Sequence, residues 1–210
     1  MLESDSDAPN WSPIEIRLFN TLDVFQHKPI IMKKAEAKLN SLKQALILEL
    51  SRTYHPYPPD TDTTNGQIVR GENHKGFPFI SLDMPQMFTK SHMFTYRTLF
   101  WWGHDLIFSL ILKQTNHIPI INKLMELKNS PKWENVYLAT SPSPWEWENH
   151  PDKFISISNT SNSKIKRTIN SLEYIKLCCF HPLNDPAFPK LNWENTGLTT
   201  WKKISMVCVV

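Results

Sequence analysis

A chain of 210 residues is long enough for one well-buried domain and short for two. Its composition, 40% hydrophobic and 20% charged, excludes a disordered chain, and a net charge of +3 from 23 basic and 20 acidic residues gives no support by itself to a nucleic-acid or anionic-membrane binder. Eight Trp and sixteen Pro against five Gly point to an aromatic-rich core with proline-stiffened connections, and leave little material for glycine-dependent phosphate loops.

Residues 1–10 read as a frayed or disordered terminus. Ser12 before Pro13 is an N-cap followed by a favourable first helical residue, and Ile14, Leu18, Leu22 and Phe25 then share a face. A second helix is predicted from Pro29 to about Ser51, where Ile31, Ala35, Leu39, Leu42, Leu46 and Leu50 recur at steps of three and four. Its other faces carry Lys33, Lys34, Lys38 and Lys43, which read first as a solvated face and second as a phosphate-binding one. "TYHPYPPDTDTTNG" (53–66) is a connection, because its prolines remove donors and the rest is turn chemistry.

From Gly71 to Lys113 the pattern changes to strands. "FPFISLDMP" alternates, and Pro85 is expected to end it or to put it on an edge. The run through 93–112 would be on the order of 65 Å long as one strand, well outside the usual range. A split at Gly103–His104 gives two strands of ordinary length joined by a two-residue type II′ turn, with glycine supplying the positive φ. His104 and Asp105 then lie at a hairpin tip. Further on, "IPIINKLMELKNSP" reads as a helix, "WENVYLAT" and "KFISIS" as strands, and "SPSPWEWENHPD" as a loop. "KIKRTINSLEYIKLCCF" reads as one helix, with Ile165, Ile169, Leu172, then Lys176 or Ile175, and Cys179 on a face. Beyond His181 the tail is Pro- and Asn-rich until "KKISMVCVV", a final edge strand or a loosely held end. No internal repeat or boundary interrupts 11–210. The expected architecture is a single α+β domain, with a mainly antiparallel sheet, a central hairpin and about four flanking helices.

Cys178, Cys179 and Cys208 are odd in number, and no pair has C-x-x-C spacing, so neither a disulfide framework nor a zinc or redox dithiol is expected. "MLESDSDAPN" is unlike a signal or transit peptide, and Cys208 stands third from the end, not at a prenylation position. The longest apolar run carries His104 and Asp105 and falls short of the roughly 20 uncharged residues of a span. The expected address is cytoplasmic, with no membrane partner.

The segment "KGFPFISL…TLFWWGHDLIFSLIL", with an aromatic-Trp strand end, a tight turn carrying His and a second aromatic-rich strand, resembles the central hairpin of the YktB-like family of small bacterial proteins. The order of elements over roughly 20–180 is similar too, and "YIKLCCF" resembles that family's late helix and strand. The chain departs from the pattern with extra residues between Leu82 and Phe94, and it lacks a counterpart of the family's basic Asn-Pro loop. The family carries no established activity, so the resemblance implies a fold and a bacterial protein of unknown function, and no chemistry.

Four constellations carry possible chemistry. His104 beside Asp105 could serve as a base, but neighbours on a strand face opposite ways, so an orienting partner would have to come from His74, His92 or Arg97. The plainer reading is a hairpin-tip histidine bonded locally. On strand 93–102 the even positions Phe94, Tyr96, Thr98, Phe100 and Trp102 form the core side, whereas Arg97 and Trp101 on the odd side could line a pocket for an anionic or planar ligand. Alternatively, Arg97 pairs with an acid on a neighbouring strand and Trp101 packs under a helix. Trp145 and Trp147, with Glu146 and Glu148 opposite, suit a ligand lid or the closure of the core. Cys178 or Cys179 with His181 offers a thiol nucleophile, against inert packing as the simpler account.

His55 with Asp60 and Asp62, or His150 with Asp152, supplies ligand types without metal spacing, so no metal and no cofactor is assigned. The leading expectation is therefore a domain that binds a small molecule or protein partner on an aromatic sheet face, through Arg97, Trp101, His104 and Trp147. The alternative is a hydrolase or transferase with His104 or His74 as base, and nucleic-acid binding through the Lys-rich helix 29–51 ranks last.

Overall fold

The structure, a computed structural model, describes residues 10–52, 58–114 and 116–208. The frayed segment expected over 1–10 lies outside the described residues except for Asn10, and so does His55. Ser12 caps the first helix, α1 (Pro13–Phe19): its hydroxyl accepts from the Glu15 backbone N–H at 3.3 Å, and the Glu15 carboxylate accepts from the Ser12 backbone N–H at 2.7 Å. The second helix, α2 (Leu22–Arg52), begins at Leu22, and Pro29 sits inside it. A proline in a helix interior forgoes one backbone bond, so Pro29 marks a local loss and not a start. The buried stripe is Met32, Ala35, Leu39, Leu42, Leu46 and Leu50, with Met32 in the place expected of Ile31. Ahead of it Ile14, Leu18, Leu22 and Phe25 are all exposed, and α1 buries no residue.

The strands β1 (Gln67–His74), β2 (Phe77–Phe88), β3 (Met93–Trp101) and β4 (Asp105–Lys113) form a meander. The chain then makes α3 (Ile118–Leu127), the hairpin β5 (Tyr137–Ala139) and β6 (Phe154–Ser156), and α4 (Asn162–Asn170). The next strand, β7 (Ile175–Pro182), returns between β4 and β5, so the seven-stranded sheet has the order β1-β2-β3-β4-β7-β5-β6. All of its pairings are antiparallel. Helix α5 (Trp193–Ile204) and a 3-10 turn, Ser205–Cys208, follow. No helix among the described residues is long and apolar enough to cross a membrane.

The α+β class, the antiparallel sheet and the hairpin over 93–112 are as expected. The turn differs in detail. The His104 backbone N–H donates to the Trp101 carbonyl at 3.1 Å, so Trp102 and Gly103 are the central residues and His104 closes the turn. Gly103 has φ +77°, which glycine adopts without steric cost. The single helix expected through "KIKRTINSLEYIKLCCF" stops at Asn170, and Ile175–Pro182 is a central strand. Steps of three and four through Ile165, Ile169 and Leu172 run into an alternation through Ile175, Leu177 and Cys179, and pairing with β4 decides the second half. Pro85 neither ends β2 nor lies on an edge strand: it follows a cis peptide bond at a register shift between Asp83 and Gln86. There it can sit within a strand, since a bulge lacks a ladder bond. The tail is not a final strand, because Trp193, Gly197, Thr200, Trp201 and Ile204 form the buried stripe of α5.

The sheet is buried on both sides along β3, β4 and β7. One face presents Tyr96, Phe100, Leu106, Phe108, Leu110, Leu177 and Cys179 to the helices. The opposite face presents Leu99, Trp101, Ile107, Ile111 and Cys178, and the strand-loop segment 139–154 covers it with Ala139, Trp147 and Phe154. On the helical face α5 approaches α2 through Gly197, whose carbonyl accepts from the Tyr96 hydroxyl at 2.7 Å. A Cβ there would lie 2.6 and 2.7 Å from the two Leu42 methyls and 3.0 Å from Phe108. Leu42 is fully buried and has nowhere to move. Gly197→Ala is therefore expected to lower stability by about 1–2 kcal/mol in chemical denaturation, overpacking outweighing the roughly 1 kcal/mol gained in helix propensity. A stabilised variant would show that α2 and α5 separate freely.

Candidate functional site

The odd-numbered face of β3 carries two of the residues expected to bind a ligand, Arg97 and Trp101. Arg97 grips Asp83 on the neighbouring strand with two bonds, Nε to Oδ1 at 2.8 Å and Nη2 to Oδ2 at 2.7 Å. Thr95 Oγ1 donates to the same carboxylate at 2.8 Å. The guanidinium also lies over the Trp145 ring, 4.6 Å from its centroid. This is the acid-paired alternative for Arg97, and both partners are consumed by it. Trp101 is fully buried, but not under a helix. Its indole N–H donates to the His74 carbonyl at 3.2 Å, His104 stacks on it at 3.6 Å, and the His74 ring meets it edge-on at 4.9 Å.

The two candidate bases thus flank one tryptophan. Burial lowers the pKa of both imidazoles, with Lys75 adding to the effect at His74, and in each ring Nε2 is buried without a hydrogen-bond partner. No hydrogen bond joins either ring to a carboxylate among the described residues, so neither is oriented as a general base would be. Asp105, expected at a hairpin tip, begins β4 and is buried, and burial raises its pKa to about 6.

Trp147 is 3% exposed and forms part of a plug. Lys176, in the middle of β7 and fully buried, points its ammonium at the Trp147 ring, 3.2 Å from the centroid. It donates to the carbonyls of Pro144 at 2.9 Å and Glu146 at 2.5 Å. The Tyr174 hydroxyl lies 2.6 Å from the Ser141 carbonyl and 2.9 Å from that of Ser143. Burial holds the Lys176 pKa down at about 7. The Glu146 carboxylate, which burial alone would raise, is held at about 2 by Lys75, the Glu148 backbone N–H and Lys153. Arg97, Trp101, His104 and Trp147 therefore share a face that the protein's own loop fills.

An open site lies elsewhere. The ladder between β7 and β5 covers only Cys178 and Leu177 of β7, so its continuation to Pro182 has no strand on that side. A cleft of about 540 Å³ occupies this notch. It touches Cys179, Phe180, His181 and Pro182 in succession, and consecutive strand residues point to opposite faces, so the strand is met edge-on. Asn135, Tyr137 and Asn149 form one wall. The other is a stripe of α5, Asn195, Thr199 and Lys203, with Thr196 and Thr200 alongside. The Lys203 ammonium lies near the Cys179 thiol and favours its ionised form. Burial nevertheless raises the thiol pKa, and burial together with Lys203 lowers that of His181. Of the notch residues, sequence reading singled out Cys179 and His181 alone; the i, i+4, i+8 spacing of Asn195, Thr199 and Lys203 beside the Trp193–Trp201 stripe was the available signal.

Neither a family model, nor a curated protein, nor a solved structure matches this chain. Fold and site define it as an α+β protein on a seven-stranded antiparallel sheet, with one face self-plugged and a polar notch at an interior strand edge.

Two titrations check this geometry. The folded pKa of Asp105 lies above its ordinary value of 3.8, so its contribution to stability is complete below pH about 4 and is lost as pH rises through about 6. Asp105→Asn is expected to exceed the wild type by on the order of 2 kcal/mol at pH about 8, with the gap closing near pH 4 in denaturant titrations. The folded pKa of Lys176 lies below its ordinary value of 10.5, so stability present above that value is lost as pH falls toward about 7. Lys176→Met should abolish this slope between pH about 10 and about 7; an unchanged slope would place the titration on another group.

Proposed function

We propose that this protein binds a small polar molecule in the notch beside β7. The observation that carries the reading is the unspent hydrogen-bonding capacity there. Among the described residues, the side chains of Asn135, Asn149, Asn195, Thr196 and Thr199 make no hydrogen bond within the protein, and all of them face one cleft. The strand edge of Phe180–Pro182 adds backbone groups that no β5 residue pairs. A cleft of about 540 Å³ falls in the range of small-molecule sites. The aromatic face that the sequence brought forward supports the site indirectly, because its loop also supplies Asn149 to the notch wall.

Binding is favoured over covalent chemistry in the same place. A nucleophilic cysteine needs its thiolate, and burial of Cys179 acts against ionisation. A histidine-based hydrolase built on His104 or His74 is the weaker reading, since both rings lie against Trp101 on the plugged face. We also propose a cytoplasmic setting and a relationship to the YktB-like proteins.

The test is an amide chemical-shift titration with panels of small carboxylates, phosphates, sugars and nucleosides. At least one compound is expected to shift amides of 179–182 and 195–203 together. Thr199→Trp, at an exposed position on the notch wall, should fill the cleft and weaken that binding at least about tenfold while leaving the fold intact, because about 1.4 kcal/mol of lost contact suffices. Shifts confined to the face around Arg97 and Trp101 would refute the notch as the site.

A further inference from the structure

We infer that the notch selects an elongated monocarboxylate, with its carboxylate against Lys203 and an uncharged hydrogen-bonding body running along α5 toward Asn195. This rests on the reading of the notch as a binding site and adds the class of ligand. Among the described residues that line the notch, Lys203 alone carries a full charge at neutral pH, and no carboxylate lines it. Its neighbour Cys179 is a neutral thiol and no carboxylate pairs with Lys203 among the described residues, so the ammonium charge is uncompensated. His181, on the same strand face as Cys179, has its pKa lowered by burial and by Lys203, against the opposing effect of the Asp185 carboxylate. The only full charge in the lining is thus a positive one at one end, with the Asp185 carboxylate acting on His181 from outside it.

The rest of the lining is neutral. Asn195 lies eight residues from Lys203 on one stripe of α5, about 12 Å along the helix axis. Asn195, Asn149 and Asn135 each offer an amide donor and acceptor, and Thr196 and Thr199 offer hydroxyls. Such a wall suits a chain of hydroxyls and amides and rejects a second charge. A phosphate monoester carries nearly two charges at pH 7, so one ammonium would leave part of its charge unmatched. No arginine fork or glycine-rich turn lines the notch to share it. Tyr137 and Phe180, edge to face at 5.7 Å, border the opposite side and tolerate a flat or aliphatic segment of the ligand.

The experiment compares matched acid and neutral pairs on the full chain by calorimetry and amide shifts: pantothenate against panthenol, hippurate against hippuramide, and ribose 5-phosphate against ribose. The expected result is that at least one carboxylate binds about tenfold or more tighter than its neutral partner, the scale of a charge-assisted hydrogen bond. The preference should fall below about twofold in Lys203→Met and persist in Lys203→Arg. Should Lys203→Met lose its dispersed spectrum, Cys179→Ser with wild-type Lys203 keeps the test open, since the preference must survive loss of the thiol. Equal binding of acids and neutral partners, or a preference that survives Lys203→Met, overturns the carboxylate inference and leaves the notch as a site. Tighter binding of the phosphate pair's acid overturns it in favour of a dianion. Absence of any notch shift across the whole panel overturns both this inference and the proposed function.

Discussion

The structure depends on how a positive charge is accommodated inside a sheet. Lys176 lies in the centre of β7, between β4 and β5, with its side chain on the face opposite the helices. An ammonium there cannot stay in an apolar layer without acceptors. Its acceptors are the carbonyls of Pro144 and Glu146, and its lid is the Trp147 ring. The loop can offer them because it is itself pinned: the Glu146 carboxylate accepts from the backbone N–H groups of Trp147 and Glu148, both at 2.9 Å, and pairs with Lys75 and Lys153. A proline-rich segment with no helix or strand of its own thereby does what a second layer of helices would do in a larger protein.

This arrangement explains where the aromatic residues go. Sheets buried on both sides need two covers, and a chain of 210 residues supplies helices for one. The second cover is built from Ala139, Trp147 and Phe154, with the cluster of His74, Trp101 and His104 closing the end near the β3–β4 turn. Side chains that look like ligand contacts in the sequence are spent on self-closure. The open polar surface lies instead where β5 is too short to cover β7 and where α5 turns its polar stripe toward the gap.

Much of the fold was legible. The length argument that broke 93–112 into two strands holds, since Tyr96 pairs with Leu110 and Phe100 with Leu106 across the turn. The alternation on β3 also holds: Tyr96 and Phe100 meet the helices while Leu99 and Trp101 face the loop. The site was less legible. "NSLEYIKLCCF" has residues that satisfy a helical and an alternating pattern at once, and a local reading cannot choose between them. In "NWENTGLTTWKKI" a glycine and three threonines hide a helix, because Gly197 is retained for its close approach to Leu42, not for a turn. With both segments misassigned, Cys179, His181, Asn195 and Lys203 could not be brought together on paper.

What the sequence by itself determined is local: the cap at Ser12, the leucine stripe of α2, the reversal at Gly103 and the two-sided apolar character of β3 and β4. These follow from dihedral preferences and from periods of 3.6 and 2, which act over a few residues. Only the tertiary structure decided that "IKLCCFHP" enters the sheet between β4 and β5, that the tryptophan loop folds over Lys176, and that a notch opens beside α5. Each of these depends on partners distant in the chain. Backbone pairing and the satisfaction of a buried charge are settled by which groups meet in space, and no local period records that.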